Sequence, residues 1–501
     1  PGYLGDAQDL DTLRAEAQRL GLPLLVKTTA GGGGRGMRLV RAWAELDEAL
    51  AGARREAEAA FGDGTLMLER LIDDGRHIEV QVFADTHGTV VHLGERDCSA
   101  QRRRQKVIEE APSPAVTPAL REALGRDAVA AARAVGYVGA GTVEFIVDAE
   151  GRHHFLEMNT RLQVEHPVTE CVTGLDLVEW QLRVAAGEPL PPYTLQLQGH
   201  AIEARLYAED PAQGWLPQTG RVLHWRPEDA VNASARPEDA GVRIDHGLAE
   251  GHEVTPHYDA MVAKFIAHGR DRADAIRRLR RALADAPLLG LTTNAGFLRD
   301  LLAHPDFAAG AMTTARLDDW AASGDPLLQP VAPPEDLWRV AAAVLGGSQH
   351  GLDLRLQCGD AQRTLRAPAE GVRVLGFADH RLRVELDGVQ RRFHAVHDGS
   401  ALHLAHDGRA FVFREPSPWP GRDERPDPTR VRAPVAGTLL ALNVAVGDAV
   451  TAGQPLACVE AMKMEMWLPA AAAGTVVAVH RRPRSAVAAG DLLIELERDD
   501  V

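Results

Sequence analysis

Hydrophobic and polar positions along the chain change pattern four times. From residue 1 to about 190, short apolar strands such as LPLLVK (22–27) alternate with helical stretches such as ALREALGRDAVAAARAVG (119–136). That is an α+β or α/β pattern. Residues 200–325 continue it with a helical run, RADAIRRLRRALAD (272–285). A Pro-rich linker, QPVAPPED (329–336), marks a shift in composition. One short helix-like start near 337 is followed, up to 415, by alternating segments such as HRLRVELDG (380–388) and RRFHAVHDG (391–399). DG turns punctuate them, which predicts an antiparallel β domain. PSPWPGRDERPDPTR (416–430) packs five prolines and six charges into fifteen residues, the composition of a stiff, solvated tether.

The segment after the tether repeats itself. Residues 433–460 and 470–497 superimpose at an offset of 37, with Gly437 on Gly474, Thr438 on Thr475, Gly453 on Gly490, Leu456 on Leu493 and Glu460 on Glu497. Neither half is long enough to close a core alone, so the two are expected to pack as one flattened barrel. Between them lies Ala461-Met462-Lys463-Met464-Glu465. Its position implies a hairpin at the tip of the domain. An exposed hairpin has no packing need for two methionines, so Lys463 stands out as a candidate for modification.

Composition narrows the class without naming it. The 501 residues are 45% hydrophobic and 25% charged, which suits a soluble chain of three or four domains. The net charge of −16 argues against nucleic acid as a partner. No apolar run of membrane-spanning length and no signal peptide is seen. Cys98, Cys171, Cys358 and Cys458 form no C-x-x-C pair, which suggests a reducing, cytoplasmic setting and gives no reason to expect a zinc site. Cys98 reads as a small buried residue, and His153 and His154 as ordinary strand residues.

Two constellations carry candidate chemistry. Lys27 ends a strand and precedes TTAGGGGRGMRLV (28–40), whose glycines Gly32, Gly33 and Gly34 leave backbone N–H groups free to close over phosphates. The loop is neither a Walker A loop nor a dinucleotide fingerprint. More specific is the pair GAGTVEFIVD (139–148) and RHHFLEMN (152–159), joined at a D-A-E-G turn. That hairpin sets Glu144 opposite Glu157, with Cβ atoms about 5 Å apart. Two opposed carboxylates repel unless a cation bridges them, and Mg²⁺ suits such oxygens together with nucleotide phosphates. Asn159 keeps the same parity. If the chain stays extended through Arg161, Gln163 and Glu165, every one of these side chains points to one face.

GGGGRGM, RHIEVQV, GERDCSAQRRRQKVIEEAP, GTVEF and FLEMNTRLQVEHPVTE resemble the biotin carboxylase family of ATP-grasp enzymes over residues 1 to about 320. The A-M-K-M string resembles the biotinyl carrier domain, in which that Lys receives biotin; a lipoyl domain usually lacks the flanking methionines. The resemblance implies an α+β chain with an ATP-grasp domain (1–190), a biotin carboxylase C-terminal domain (191–325), a β-rich subunit-contact domain (326–415), a linker (416–430) and a biotinyl carrier domain of the flattened-barrel type (431–501). It also implies that a nucleotide-fold domain precedes Pro1, so the chain reads as an N-terminally truncated fragment.

Site roles follow from the same resemblance. Lys27 corresponds to a phosphate-binding lysine; Glu69, Arg70 and Ile72 to the segment that receives adenine; His77 and Gln101 to nucleotide contacts. Glu144, Glu157 and Asn159 correspond to ligands of Mg²⁺ or Mn²⁺. Lys106, Arg161, Gln163, Val164 and Glu165 correspond to the bicarbonate pocket, with Glu165 as general base, and Arg243 to the arginine that faces biotin's ureido oxygen. One position departs from the family: Arg104 stands where a histidine is usual, so a phosphate contact survives there but proton transfer does not.

The resemblance extends to partners. The cofactors implied are ATP, a divalent metal and biotin covalently bound to Lys463, with bicarbonate as substrate. No carboxyltransferase segment is seen, so a separate carboxyltransferase β subunit is expected in a hetero-oligomer, with a biotin protein ligase to load Lys463. Domain order resembles α subunits of acyl-CoA carboxylases of the methylcrotonoyl-, geranoyl- or propionyl-CoA type, with 3-methylcrotonoyl-CoA favoured and acetyl-CoA a further option. A non-catalytic biotin carrier is the reading of a different class; a carbamoyl-phosphate-type ligase would not need Lys463.

Overall fold

The computed structural model describes residues 1–29, 37–229, 241–347, 351–399, 401–416 and 427–498. The chain divides into two compact units, Pro1–His200 with Ala309–Ala322, and Ala201–Ala308 with Ser323–Val501.

The first unit holds two antiparallel sheets. The smaller has the strand order Gly2–Tyr3, Leu66–Arg70, Leu24–Thr28, Arg38–Val40. Helices Leu10–Leu20 and Leu46–Phe61 contribute Leu13, Ala17, Leu46 and Leu50 to a core shared with Leu24, Val26, Leu66 and Leu68 of the strands. In the larger sheet, Gln105–Ala111, Val90–Arg102, Arg76–Ala84, Gly139–Val147 and His153–Asn159 lie side by side in that order. The helix expected at 119–136 runs Pro118–Ala134. Thr117 caps its N-terminus by accepting a hydrogen bond from the Leu120 N–H, and Pro118 suits the first turn because it has no N–H to satisfy. Leu124, Ala128 and Ala132 of this helix pack onto Ile78, Val80 and Val143 of the sheet.

In the second unit, strands Val242–His246 and Met261–Gly269 pair antiparallel, with Asp245 opposite Lys264. The helical run at 272–285 is a helix over Arg272–Asp285, started by Asp271, whose side chain accepts from the Asp274 N–H. Beyond the Pro-rich linker, helix Glu335–Leu345 buries Leu337, Trp338, Val340, Ala341 and Ala342 against a seven-stranded antiparallel sheet. The edge of Trp338 meets the ring of Phe413, with centroids 5.1 Å apart. The DG turns are tight: Asp387 and Asp407 adopt φ of 49° and 51°, and a glycine follows each.

The C-terminal repeat folds as two four-stranded sheets that exchange strands. One has the order Arg430–Arg432, Leu492–Glu497, Gly474–Val479, Ala449–Val450; the other Met464–Pro469, Pro455–Ala461, Gly437–Leu442, Ala486–Val487. Each half thus lends a two-residue strand to the other's sheet, and Leu439, Leu456, Val476 and Leu493 share one core. Of the expected tether, residues 417–426 lie outside the described residues. Residues 427–430 depart from the expectation: Asp427 closes a turn on Thr429, and the Thr429 carbonyl accepts from the Leu496 N–H, so this end belongs to the barrel.

Candidate active site

The hairpin register sets up the site. Across strands Gly139–Val147 and His153–Asn159, Glu144 pairs with Glu157 and Thr142 with Asn159, with a bulge just after Glu144. On the other side of the central strand, Glu79 pairs with Glu144 and Arg96 with Glu79. Directly opposed residues share a face of a sheet, so Arg96, Glu79, Glu144 and Glu157 form one row across four strands.

A lysine from the next strand closes the row. Lys106 Nζ donates to Glu79 Oε2 at 2.6 Å, Glu165 Oε1 at 2.6 Å and Glu144 Oε1 at 3.1 Å. Arg96 is fully buried and donates to Glu79 Oε1 at 2.6 Å, and also to Gln81, Thr169, Thr142 and Gln163. Glu144 accepts further from Asn159 Nδ2 and Gln163 Nε2, each at 2.9 Å, and its other oxygen lies 3.0 Å from His77 Nε2. Gln101 Nε2 lies 3.3 Å from His77 Nδ1.

Burial alone would neutralise these acids, and the cations outweigh it. Burial raises the Glu79 carboxyl, but Arg96 and Lys106 hold it down to about 2. Glu144 likewise stays far below the ordinary carboxylate range, because His77, Lys106 and Gln163 overcome its desolvation. Burial disfavours the charge on Lys106, yet the surrounding carboxylates push its pKa well above the usual lysine value.

One expectation needs correction. The chain does not stay extended from Glu157 to Glu165. The strand ends at Asn159, and helix His166–Thr173 begins directly after Glu165, which has φ −81° and ψ 6°. The intervening turn swings Gln163 and Glu165 back to Glu144 and Lys106, and both are buried. Arg161 is left exposed, donating to the Leu162 carbonyl. Val164 lies within this turn.

The other expected residues are spread more widely. Lys27 and Glu69 form an ion pair across adjacent strands of the small sheet. Arg70 is exposed at the end of its strand, and Ile72 follows two residues later. Gly32, Gly33 and Gly34 lie outside the described residues. Arg104 sits in a two-residue turn with Arg103, at φ 69° and 45°. Cys98 is buried, and burial pushes its thiol well up, so it is a poor nucleophile. Arg243, in the second unit, grips Asp245 with two hydrogen bonds of 2.7 and 2.9 Å.

Glu79 and Arg96 are the residues that sequence reasoning missed. Both sit inside the RHIEVQV and GERDCSAQ motifs, but nothing local in sequence marks them as partners. The available signal was the alternation itself: Ile78, Val80 and Val82 make one face of the strand apolar, while His77, Glu79 and Gln81 gather polar groups on the other.

The residues suit a divalent cation. Glu144 and Glu157 face each other with two hard carboxylates, and Asn159, anchored through its amide nitrogen, keeps a carbonyl oxygen as a third donor.

At the far end of the chain, Ala461 pairs with Met464, leaving Met462 and Lys463 as a two-residue turn. Their φ angles are 50° and 65°, left-handed at two residues that are not glycine. Such turns favour Asn-Gly, so this one is locally strained. The Lys463 side chain is 72% exposed, and its Nζ lies 3.1 Å from Asp259 Oδ2. Met462, expected to have no packing role, is buried, and its N–H donates to the Pro256 carbonyl.

Comparison with known proteins agrees with this layout. Residues 1–193 match the family model described as carbamoyl-phosphate synthase L chain, ATP binding domain, and 203–319 match the biotin carboxylase C-terminal domain. Residues 304–418 match the BT domain of the methylcrotonyl-CoA carboxylase α-subunit, and 429–496 match the biotin-requiring enzyme model. The mitochondrial methylcrotonoyl-CoA carboxylase subunit alpha of Oryza sativa subsp. japonica is 38% identical over 95% of this chain and 74% of that subunit. The propionyl-CoA carboxylase alpha chain of Ruegeria pomeroyi is 38% identical over 99% of this chain and 81% of that chain. The chain belongs to the α subunits of biotin-dependent acyl-CoA carboxylases. Within that family, the Arabidopsis thaliana methylcrotonoyl-CoA subunit is 51% identical over 63% of this chain but only 42% of its own length. Among solved structures, the biotin carboxylase domain of the Hydrogenobacter thermophilus 2-oxoglutarate carboxylase, in complex with MgADP, ADP and bicarbonate, superposes with a TM-score of 0.61. It is 41% identical over 66% of this chain and 71% of that domain. Biotin carboxylase from Campylobacter jejuni gives a TM-score of 0.60 at 40% identity, over 64% and 70% of the two chains.

Proposed function

We propose that this chain uses ATP and bicarbonate to carboxylate biotin held on its own Lys463, as the α subunit of an acyl-CoA carboxylase. The observation that carries the reading is Lys106, gripped by Glu79, Glu144 and Glu165 in the same chain that presents Lys463 on an exposed turn.

Bicarbonate is a weak nucleophile, so its attack on the γ-phosphoryl group of ATP gains from a base and from positive charge held in place. Glu165 is the base that takes the bicarbonate proton. Lys106, fixed by three carboxylates, holds the anion beside it and loses little entropy on binding. Lys27 and Arg104 meet phosphate charge. Glu144, Glu157 and Asn159 would hold Mg²⁺ or Mn²⁺, which would supply charge neutralisation on the phosphates. The attack breaks the β–γ phosphoanhydride bond, releases ADP and gives carboxyphosphate, which breaks down to CO₂ and phosphate. Lys463 would hold biotin as the carboxyl acceptor, and the N–H proton of its ureido nitrogen would pass to the released phosphate as the N–C bond forms. Arg243 serves that acceptor by donating to its oxygen, once turned from Asp245.

As an α subunit, the chain works in a hetero-oligomer with a β subunit, which carries the carboxyltransferase. A biotin protein ligase loads Lys463; the strained, exposed turn presents this lysine to it. The 3-methylcrotonoyl-CoA thioester is the favoured acyl acceptor, supported by the match of residues 304–418. The chain acts in the cytoplasm, where four buried thiols outside any disulfide are stable. Among the described residues no helix is long and apolar enough to cross a membrane.

The biotinylated full-length protein is expected to hydrolyse ATP only when bicarbonate is present. No hydrolysis at saturating substrates would reduce the chain to a passive carrier. Co-purification with the β subunit, followed by labelled bicarbonate and a panel of acyl-CoA thioesters, identifies the acceptor.

A further inference from the structure

In the second unit, three imidazoles and a carboxylate converge from four separate segments. His224 is buried, held by an isolated bridge to Leu289. Its Nδ1 lies 2.9 Å from Glu250 Oε1, and its Nε2 lies 3.3 Å from His394 Nδ1. The His380 ring is tilted against it with centroids 5.1 Å apart, and the His394 ring is stacked on it at 5.4 Å. The Ala395 N–H donates to the His380 carbonyl, which ties the His380 turn to the strand that carries His394. One donor atom each from His224, Glu250 and His380 fall within 4.8 Å of one another.

We propose that His224, Glu250 and His380 form a site for a divalent transition-metal ion of the zinc type, with His394 orienting His224. Two neutral imidazoles and a carboxylate are a nitrogen–oxygen donor set that zinc accepts, with a fourth position for water. Donors around a tetrahedral zinc lie about 3.3 Å apart; the His224–Glu250 contact of 2.9 Å is close to that span, and the three donors lie within 4.8 Å of one another. A metal-bound histidine characteristically engages a partner through its second ring nitrogen, which is the relation of His224 to His394.

His380 reaches the cluster from a turn in which Asp379 and His380 have φ of 50° and 58°. Left-handed backbone at two consecutive residues that are not glycine is a local cost, and such costs gather where a side chain must be aimed. The competing cation is Arg226, 3.3 Å from Glu250. It also pairs with Asp379 at 2.7 Å, so a metal on Glu250 leaves Arg226 with a partner. The absence of a cysteine pair gave no hint of zinc in the sequence; the donors here come from residues 224, 250 and 380, which only the fold brings together. The site is independent of the carboxylation chemistry.

The test is zinc titration of the EDTA-stripped, biotinylated full-length protein in competition with a chromogenic chelator, read together with the melting temperature. The wild-type chain is expected to retain one zinc and to melt higher with it. His380→Ala and Glu250→Gln, both outside the buried core, lose that zinc and its thermal shift. His394→Phe weakens binding by about 10–100-fold. Glu157→Gln, in the carboxylase site, leaves zinc retention unchanged. No retained zinc in the wild-type chain, or retention undiminished in His380→Ala or Glu250→Gln, overturns the proposal.

Discussion

Two lysines in this chain meet opposite conditions. The side chain of Lys106 is 11% exposed and is held by three carboxylates from three different segments. That of Lys463 is 72% exposed, at the end of a two-residue turn, with one carboxylate nearby. The first is a fixed charge; in the proposed function it is immobilised in advance, so an anion would meet it without reorganisation. The second is accessible to solvent, as the proposed biotinylation requires. Rigidity at Lys106 is assembled from distant strands, whereas exposure at Lys463 is written into a short local string. Each lysine suits its task because it lacks the other's surroundings.

The comparison is broken most directly by Glu165→Gln. It keeps the shape of the side chain but removes the carboxylate beside Lys106 that is proposed as the base. ATP hydrolysis dependent on bicarbonate is expected to fall by about 10²–10⁴-fold, while biotin loading on Lys463, measured by avidin binding, is unchanged. Arg96→Leu comes next. It leaves Glu79 buried with only Lys106 as a strong partner, and breaking a buried pair costs about 3–5 kcal/mol. Chemical denaturation followed by hydrogen exchange is expected to show the loss in the first unit and none in the carrier barrel.

Acid should separate the two regions as well. In the folded chain Glu79 is held down to about 2 from an ordinary 4.5. It therefore contributes stability above pH 4.5 that is lost as pH falls from there towards 2. The first unit is expected to weaken across that window, and Glu79→Gln to flatten the dependence, as read by denaturant midpoints at successive pH values. The smallest effect belongs to the tip. Lys463→Asn places a residue that tolerates left-handed backbone at φ 65° and is expected to stabilise the barrel by less than about 1 kcal/mol. Slower amide exchange in strands Pro455–Ala461 and Met464–Pro469 would show it, alongside complete loss of biotin.

How far the sequence revealed this follows from where each signal lies. The helix at 272–285 and the Glu144–Glu157 pairing rest on local features, an Asp cap with helical periodicity in one case and a four-residue turn in the other. The repeat at an offset of 37 exposed the barrel and its tip. The run from Glu157 to Glu165 does not meet the condition of staying extended, and Pro167 just after it is a helix-start signal. Glu79 and Arg96 were not legible as a pair, because cross-strand partners 17 residues apart leave no mark in either segment. The packing of Met462 was missed for the same reason, since Pro256 is remote in sequence.

In the proposed function, the Lys106–Glu165 site loads the biotin on Lys463 of the same chain. The most direct measurement is the transfer of label from ¹⁴C-bicarbonate to the biotinylated full-length protein in the presence of ATP and Mg²⁺. Acid-labile label is expected on the wild-type protein only with ATP, and none on Lys463→Arg. Label that forms without ATP, or that persists in Lys463→Arg, would contradict it.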